Sequence, residues 1–380
     1  MTRTYVLRIL ALFVSLLVIY LLIAGLILAP AGYYGSIEQP RFADPWIARG
    51  ETILGGGLLY RDVFTTTPPL TNYLLIPPVL MSSLFGHRNP GSTLSFMVYF
   101  SLFDLMTAYV LLFTVEDRSE GYRSAVWFLL NPLTFGNAIL RRQDESILVF
   151  FLGLALLFML HSQHGRASLT VGLALLIKLT GALLLPVAFL RTRNWRYLVI
   201  PAAVFALAVV PFLLMAGRAA VFWDPAQTHT EHPFQLGGIS LSALWWRIRG
   251  EAPGNVAMSA YSALFVIGVL ATVGLIAWKP SGLLEDTTLL TTAVLLLSPK
   301  LHCGYLSFLA LMMAPLARKY RLSGLYFACG ALAVVADMYK WPVENFALAF
   351  TLMIVVYLVL IVGMARMRWT RRAPFATQSR

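Results

Sequence analysis

The sequence predicts an all-α, multi-pass membrane protein. Of its 380 residues, 59% are hydrophobic and 12% are charged, whereas about a quarter of the residues in soluble domains are charged. The mean hydropathy is +0.75. Because a helix needs ~20 apolar residues to cross a bilayer, the apolar runs amount to about ten transmembrane helices. We therefore expect a single integral membrane domain over 1–380, with no separate soluble domain.

The order of the apolar runs predicts the topology. Spans are expected at 6–29, 92–114, 124–138, 147–160, 197–215, 258–278, 287–297, 306–316, 324–336 and 346–364. Arg3 and Arg8 precede the first span, so the positive-inside rule places the N-terminus in the cytoplasm. The basic clusters that then share the cytoplasmic side are 118–123, 164–166, 191–196, 317–321 and the tail 364–380. Both termini are therefore predicted to be cytoplasmic.

Two large outer loops remain, at 30–91 and 217–255. In the first outer loop, 36–55 is predicted to form an interfacial helix that ends at the triple glycine 55–57, because glycine disfavours a helix. The stretch 72–85 is apolar but too short to span. We expect its two prolines, Pro77 and Pro78, to break it into a re-entrant or surface helix.

The apolar stretch 168–190 has Lys178 in its middle and basic clusters on both sides. A single crossing would place one cluster outside. Two short helices that meet near Lys178 would keep both clusters inside, and each would be too short to span. We favour this pair of short helices.

The net charge of +12 does not indicate a nucleic-acid partner, because the Lys and Arg residues lie in short clusters between spans. The expected partners of these clusters are membrane lipids. No phosphate-binding loop of the G-x-x-x-x-G-K-[ST] type is present. The run HTEH at 229–232 resembles a metal cluster, but this spacing within one short loop is weak evidence for a metal site, and the sequence has no paired-aspartate D-x-D motif. We predict no metal and no cofactor.

Acids and bases concentrate on the predicted outer face. They are Asp44, Glu51, Asp62, Arg141, Arg142, Asp144, Glu145, His229, Glu231, His232, Lys300 and His302. A carboxylate close to the membrane can take a proton from an attacking hydroxyl, and a nearby cation can neutralise a phosphate. The alternative is that these charges only solvate the loop ends. Asp44 lies between Phe42 and Trp46, a partly apolar setting that can raise the pKa of a carboxyl.

An ionisable residue inside an apolar stretch is a functional-site hypothesis by default, and Lys178 is such a residue. The alternative is that its side chain reaches a helix end. A transporter would be expected to have ionisable residues at mid-span and repeated halves. Lys178 is the mid-span charge that we identify, and no repeat is evident, which favours an enzyme over a transporter.

Four segments carry a resemblance to a known family through their order and spacing. They are FADPWIARGETILGGGLLYRDVFTTTPPLTNYLLIP at 42–77, NPLTFGNAILRRQDESILVFFLGLAL at 131–156, GLALLIKLTGALLLPVAFL at 172–190 and SPKLHCGYLSFLALMMAPL at 298–316. Together they resemble the integral-membrane glycosyltransferases of the GT-C superfamily, which use polyprenyl-phosphate sugars. The most similar branch includes the bacterial polyprenol-phosphate-mannose-dependent transferases and the catalytic subunit of GPI mannosyltransferase I.

The resemblance implies a GT-C fold with its active site facing outside. Asp44 falls on the catalytic aspartate, the general base. The implied donor-phosphate contacts are Lys178, Arg142, Lys300 and His302, and the implied substrate contacts are Asp62, Asp144 and Glu145. The implied donor is a polyprenyl-phosphate-linked sugar, mannose or another hexose, and the acceptor is a lipid-linked glycan, a protein or a wall polymer. The alternatives are a transporter or flippase for a lipid-linked glycan and an inactive scaffold.

Overall fold

The computed structural model describes residues 2–29, 44–63, 65, 67–85, 90–216, 249, 254–298, 303–339 and 355. The regular structure over these ranges is helical, and no strand occurs in them. The chain divides into two compact units, Met1–Leu236 and Gly237–Arg380. The single integral membrane domain stays a prediction. The second outer loop, the span 346–364 and the basic tail lie outside the described residues, apart from isolated positions.

The first unit contains most of the described helices. They are α1 (Thr2–Ile23), α2 (Asp44–Leu54), α3 (Pro69–Leu74), α4 (Ile76–Ser83), α5 (Pro90–Phe113), α6 (Arg118–Leu130), α7 (Pro132–Phe135), α8 (Glu145–Leu160), α9 (His164–Leu175), α10 (Leu184–Thr192) and α11 (Arg196–Ala216). Three short segments with a helical geometry other than α lie between these helices. They are the π-helical turns Ala24–Leu28 and Gly136–Leu140 and the 3₁₀ turn Leu179–Leu183.

The second unit contains four longer helices and one 3₁₀ turn in its described part. They are α12 (Asn255–Trp278), α13 (Leu283–Leu297), the turn Cys303–Leu306, α14 (Ser307–Lys319) and α15 (Ser323–Tyr339). The first turn of α13 is held by polar contacts, because both carboxylate oxygens of Asp286 accept from the Ser281 backbone N–H, at 2.9 and 3.0 Å.

Four helices in the described part of the chain are long and apolar enough to cross a membrane. They cover Thr2–Leu28, Ser92–Phe113, Arg196–Ala216 and Val256–Trp278. The count of about ten spans is therefore not confirmed. Several predicted spans form shorter helices: the chain between 124 and 138, for example, breaks at Asn131, where Pro132 begins a new helix. A proline cannot continue the hydrogen-bond ladder of the preceding helix.

The core of the first unit is built around α5, of whose span 61% is buried, against 17% for α1 and 11% for α11. Helices α6 and α8 pack against it. The buried face of α5 combines aromatic side chains such as Phe96 and Phe100 with polar ones such as Ser101 and Asp104. A spanning helix that buries polar groups needs polar neighbours, and α8 supplies them.

Helix α2 covers most of the helix predicted at 36–55 and ends just before the triple glycine, and residues 36–43 lie outside the described part of the chain. The next segment is broken, as predicted, but the break does not lie at Pro77 and Pro78. The break lies earlier, at Leu75, and both prolines lie in the first turn of α4. A proline is well tolerated there because the first N–H groups of a helix have no partner inside the helix.

Candidate functional site

Two short helices meet at Lys178, as predicted. Helix α9 ends at Leu175, and the 3₁₀ turn that leads into α10 begins at Leu179. Between them Lys178 is extended, with φ −150° and ψ 142°. The absence of a side chain at Gly181 allows the chain to pass close to α9. A Cβ at this position would lie 2.6 Å from the carbonyl carbon of Ala174, which is too close.

Helix α3 of the first outer loop satisfies the backbone at this break. The Leu176 carbonyl accepts from the Leu70 N–H at 3.1 Å, and the Ile177 carbonyl accepts from the Thr71 hydroxyl at 2.6 Å. Carbonyls at a helix C-terminus lack partners within the helix, and burying them unpaired is costly. The part of the predicted first outer loop that contains α3 therefore packs directly against the segment that presents Lys178.

Lys178 is held by two carboxylates. Its Nζ lies 2.8 Å from Asp144 Oδ1 and 2.5 Å from Glu145 Oε1. The lysine side chain is 16% exposed, and those of Asp144 and Glu145 are 6% and 4% exposed. The two acids lie at the start of α8, where the helix dipole favours negative charge. Three charged side chains that are buried to this extent are tolerated because they are paired with one another.

The segment before these acids places two arginines in the interior. Asn131 caps α7 by accepting the Leu133 N–H at 3.0 Å. Arg141 donates to Asn137 Oδ1 at 3.4 Å, and Arg142, which is 1% exposed, donates to Thr93 Oγ1 at 3.0 Å. Arg142 has a φ of 51°, in the left-handed region. Backbone strain of this kind in a residue other than glycine tends to be kept at functional sites.

A buried acid of α5 extends this group of polar residues. Ser146, the second residue of α8, donates a hydrogen bond to Asp104. Arg142 contacts Thr93, which lies on α5 as Asp104 does. At 1.5 Å per residue, Thr93 and Asp104 are about 16 Å apart along the axis of α5. The segment 142–146 therefore descends along α5. Asp104 was missed in the sequence, although its place inside the predicted span 92–114 was the available signal.

Helix α2 is anchored on α5 by an aromatic contact. The ring of Trp46 lies 5.4 Å from those of Phe96 and Phe100, tilted on the first and edge-on to the second. Gly50 meets Val79 of α4 so closely that a Cβ would lie 2.7 Å from a valine methyl. These contacts fix the helix whose first residue is Asp44. The side chain of Asp44 is outside the described part of the structure.

Arg49 brings a further cation from α2 into this region. Its Nη1 donates a long hydrogen bond, 3.4 Å, to Thr67 Oγ1. Burial lowers the pKa of Arg49, and the charges of Asp144 and Tyr60 act against this shift. Arg49 is thus within electrostatic range of the carboxylate that pairs with Lys178. Arg49 was missed in the sequence, although an arginine five residues after a candidate catalytic acid was a visible signal.

The residues around Arg49 form a network of hydroxyl groups. The Tyr60 hydroxyl donates to the Thr67 carbonyl at 2.7 Å, and the hydroxyls of Thr65 and Thr67 are 2.8 Å apart. Thr67 also donates to Asn72 Oδ1 at 3.3 Å. Burial raises the pKa of Tyr60 far above its ordinary value, opposed by the charge of Arg49. Tyr60 is therefore a neutral hydroxyl at physiological pH.

The structure does not bring every predicted residue into this cluster. Asp62 lies in an exposed turn, where it accepts the Leu58 N–H at 2.7 Å and pairs with Arg61 at 2.8 Å. The Arg61 hydrogen bond, followed by that of the Leu58 N–H, lowers the pKa of Asp62 to about 2. Lys300 and His302 lie outside the described residues. The same holds for the HTEH run, and in the described ranges no three His, Cys, Asp or Glu residues form a possible metal site.

The fold and the site together define a helical membrane protein with a buried, charge-paired polar centre at a broken helix. A family model for glycosyltransferase family 87 matches residues 64–299, so the chain belongs to this family of glycosyltransferases. The match includes Arg142, Asp144, Glu145 and Lys178 and does not extend to Asp44, Lys300 or His302. No curated protein matches the chain.

Proposed function

We propose that the chain transfers mannose or another hexose from a polyprenyl-phosphate donor to a hydroxyl acceptor at the outer leaflet, with inversion at the anomeric carbon. Family membership supplies the reaction class, glycosyl transfer. The observation that carries the rest is the buried pairing of Lys178 with Asp144 and Glu145, next to the first outer loop. The GT-C fold, the donor, the sugar and the outer-facing site belong to the proposal.

The chemistry of a polyprenyl-phosphate sugar matches this environment. The donor combines an apolar chain with an anionic phosphate, so its binding needs cations next to apolar surface. Lys178 and Arg142 are buried cations in a unit composed mainly of apolar helices. Cations strongly favour phosphate as a partner, since charge-assisted hydrogen bonds are about twice as strong as neutral ones. Lys300 and His302 are the further donor-phosphate contacts that we propose.

Asp44 is the proposed general base. Its carboxylate takes the proton of the acceptor hydroxyl while the hydroxyl oxygen forms a bond to the anomeric carbon. The bond from that carbon to the phosphate oxygen breaks on the opposite face, and its electron pair leaves with the polyprenyl phosphate. One base and an in-line displacement produce inversion. A positioned base of this kind contributes about 10²- to 10⁴-fold to the rate.

Asp144 and Glu145 hold the Lys178 ammonium by two short contacts, at 2.8 and 2.5 Å. We propose that they position this cation for the donor phosphate and contact the substrate. A lysine fixed in advance loses less conformational freedom when the donor binds. Asp62, in its exposed turn, is proposed to contact the substrate from the loop.

The test is an assay of transfer by purified full-length protein in detergent. Polyprenyl-phosphate mannose and other polyprenyl-phosphate hexoses are supplied with a panel of lipid-linked acceptors. The wild type is compared with Asp44→Asn and with the matched control Asp117→Asn. Asp117 caps α6 by accepting the Ser119 N–H at 2.8 Å, and an asparagine caps a helix equally well. Donor binding is measured in parallel.

We expect transfer by the wild type and by Asp117→Asn, and a loss of about 10²-fold or more in Asp44→Asn with donor binding retained. Equal transfer by all three proteins would exclude Asp44 and direct attention to Glu51, Asp62 and Asp144. No transfer with any donor, together with movement of a lipid-linked glycan between leaflets of proteoliposomes, would overturn the proposal in favour of a flippase.

A further inference from the structure

Arg49 has a positive charge that the reaction proposed above does not use. Its side chain is half-buried on α2, five residues after Asp44. Its Nε is buried and has no hydrogen-bond partner among the described residues, and its Nη1 makes one long bond, to Thr67. A guanidinium has five N–H donors in a fork that matches phosphate oxygens. The contacts present use little of this capacity.

Asp144, a carboxylate whose charge acts on Arg49, already has a partner. Asp144 pairs with Lys178 at 2.8 Å, and its charge reaches Arg49 only through space. Because Asp144 is shared in this way, it does not satisfy the guanidinium of Arg49. A half-buried cation with weak contacts, acted on by a carboxylate that is already paired with Lys178, favours the binding of an anion.

The proposed reaction moves negative charge in a direction that suits Arg49. A donor phosphodiester has one negative charge, whereas the monoester that leaves has about 1.5 to 2 at pH 7. Asp44 becomes neutral when it takes the proton of the acceptor. The negative charge thus disappears from the first residue of α2 and appears on the phosphate. A cation on the same helix then stabilises the leaving group more than the bound donor, which is how binding energy accelerates a reaction.

We infer that Arg49 binds the phosphate of the polyprenyl donor and stabilises the second negative charge that this phosphate acquires as it leaves. The inference rests on the proposed function for the identity of the donor. It predicts that the protein binds a phosphate monoester more tightly than a diester because of Arg49. A binding measurement without sugar transfer can test this.

The experiment compares three short probes on purified full-length protein in detergent: farnesyl phosphate, its monomethyl ester and farnesol. They share one apolar chain and differ in charge at the head group. Dissociation constants are measured at pH 7.5 for the wild type, Arg49→Gln, Arg49→Lys and the control Arg166→Gln. Arg166 is an exposed arginine whose Nη1 donates to Gln163 at 2.9 Å. The glutamine at position 49 keeps a donor for Thr67, and thermal unfolding checks that each variant is folded.

We expect the wild type and Arg166→Gln to bind farnesyl phosphate at least about tenfold more tightly than its methyl ester. In Arg49→Gln the monoester should lose about ten- to a hundredfold in affinity, and the ratio of monoester to diester should fall towards one. Arg49→Lys should fall between the two, since an ammonium keeps the charge and loses the fork. An unchanged ratio in a folded Arg49→Gln, or no preference in the wild type, would overturn the inference.

The transfer assay separates this result from the proposed function. Arg49-dependent binding of farnesyl phosphate without any sugar transfer would contradict the proposed reaction and leave phosphate binding by Arg49 established. Transfer by the wild type, together with an undiminished preference of Arg49→Gln for the monoester, would support the proposed reaction and contradict phosphate binding by Arg49. If both hold, the kcat of Arg49→Gln should fall more than its donor KM rises, since the contact strengthens in the transition state.

Discussion

Lys178 Nζ lies 2.5 Å from Glu145 Oε1, so that the lysine at a broken helix contacts the first residue of the neighbouring helix α8. Both side chains are largely buried, and Asp144 shares the same ammonium. Buried ion pairs of this type contribute little net stability, but they are costly to break from one side, because the remaining charge has no partner.

This relationship predicts an asymmetric response to substitution. Lys178→Met leaves two adjacent buried carboxylates and should destabilise the protein by about 3–5 kcal/mol. The triple variant Asp144→Asn, Glu145→Gln, Lys178→Met removes all three charges and should recover most of that loss. Chemical unfolding in detergent micelles, followed by tryptophan fluorescence, measures both. A triple variant as unstable as Lys178→Met alone would contradict this account of the ion pairs.

The turn after Lys178 should not tolerate a side chain. Gly181→Ala places a Cβ 2.6 Å from the backbone of Ala174 and should cost about 1–3 kcal/mol through overpacking. Gly165→Ala is the matched control, because nothing lies within 4 Å of its Cβ position, and it should be neutral or stabilising by about 0.4–1 kcal/mol. Melting temperatures of the two variants decide this. Equal losses would mean that the helix break does not require glycine.

Tyr60 should make stability fall at high pH. Its pKa is raised in the folded protein by burial. The unfolded tyrosine loses its proton near pH 10, and the folded one keeps it. The contribution is therefore complete below pH 10 and is lost as the pH rises above it, at about 1.4 kcal/mol per pH unit. Unfolding between pH 9 and 11 should show this slope in the wild type and a shallower one in Tyr60→Phe. Parallel slopes would exclude Tyr60 as the cause.

The second unit should respond to acid through Glu285. Burial acts to raise the pKa of this carboxyl, but the hydrogen bond and charge of Lys319, with the Tyr320 hydroxyl, outweigh it and lower the pKa below the ordinary 4.5. The stabilisation is therefore present above about pH 4.5 and is lost as the pH falls through the folded pKa. Glu285→Gln should flatten the dependence of the melting temperature between pH 5 and 3. An unchanged pH dependence of the melting temperature in Glu285→Gln would mean that other acids cause it.

Much of the site was predictable because the membrane restricts where charges can lie. Lys178 interrupts an apolar stretch between two basic clusters, and we predicted a break there because it keeps both clusters on one side. The structure confirms the break. The helix before the triple glycine was predictable for a similar reason, since glycines end helices. At Lys178 and at the triple glycine, the local sequence preference and the predicted topology favour the same conformation.

The rest depends on contacts that a linear pattern does not contain. Helix α3 ends at Leu74 and packs on the segment at Leu176, whereas the prolines that suggested a later break are compatible with the start of a helix. Arg49 and Asp144 are distant in the chain, yet the charge of Asp144 acts on Arg49 in the folded protein, where Trp46 on the same helix as Arg49 contacts α5. The count of about ten spans is not confirmed, since four described helices are long and apolar enough to cross a membrane and hydropathy does not show where a helix is interrupted.

The hydrogen bond from Thr71 to the Ile177 carbonyl joins residues 106 positions apart in the chain. Helix α3 is synthesised long before the carbonyl that it caps, so during membrane insertion the first outer loop has to wait for the segment around Lys178. The contact between α3 and the segment around Lys178 therefore forms only after that segment has been synthesised. A protein truncated before Ile177 should insert its early spans with this loop still accessible to proteases, and one extended past α10 should protect it.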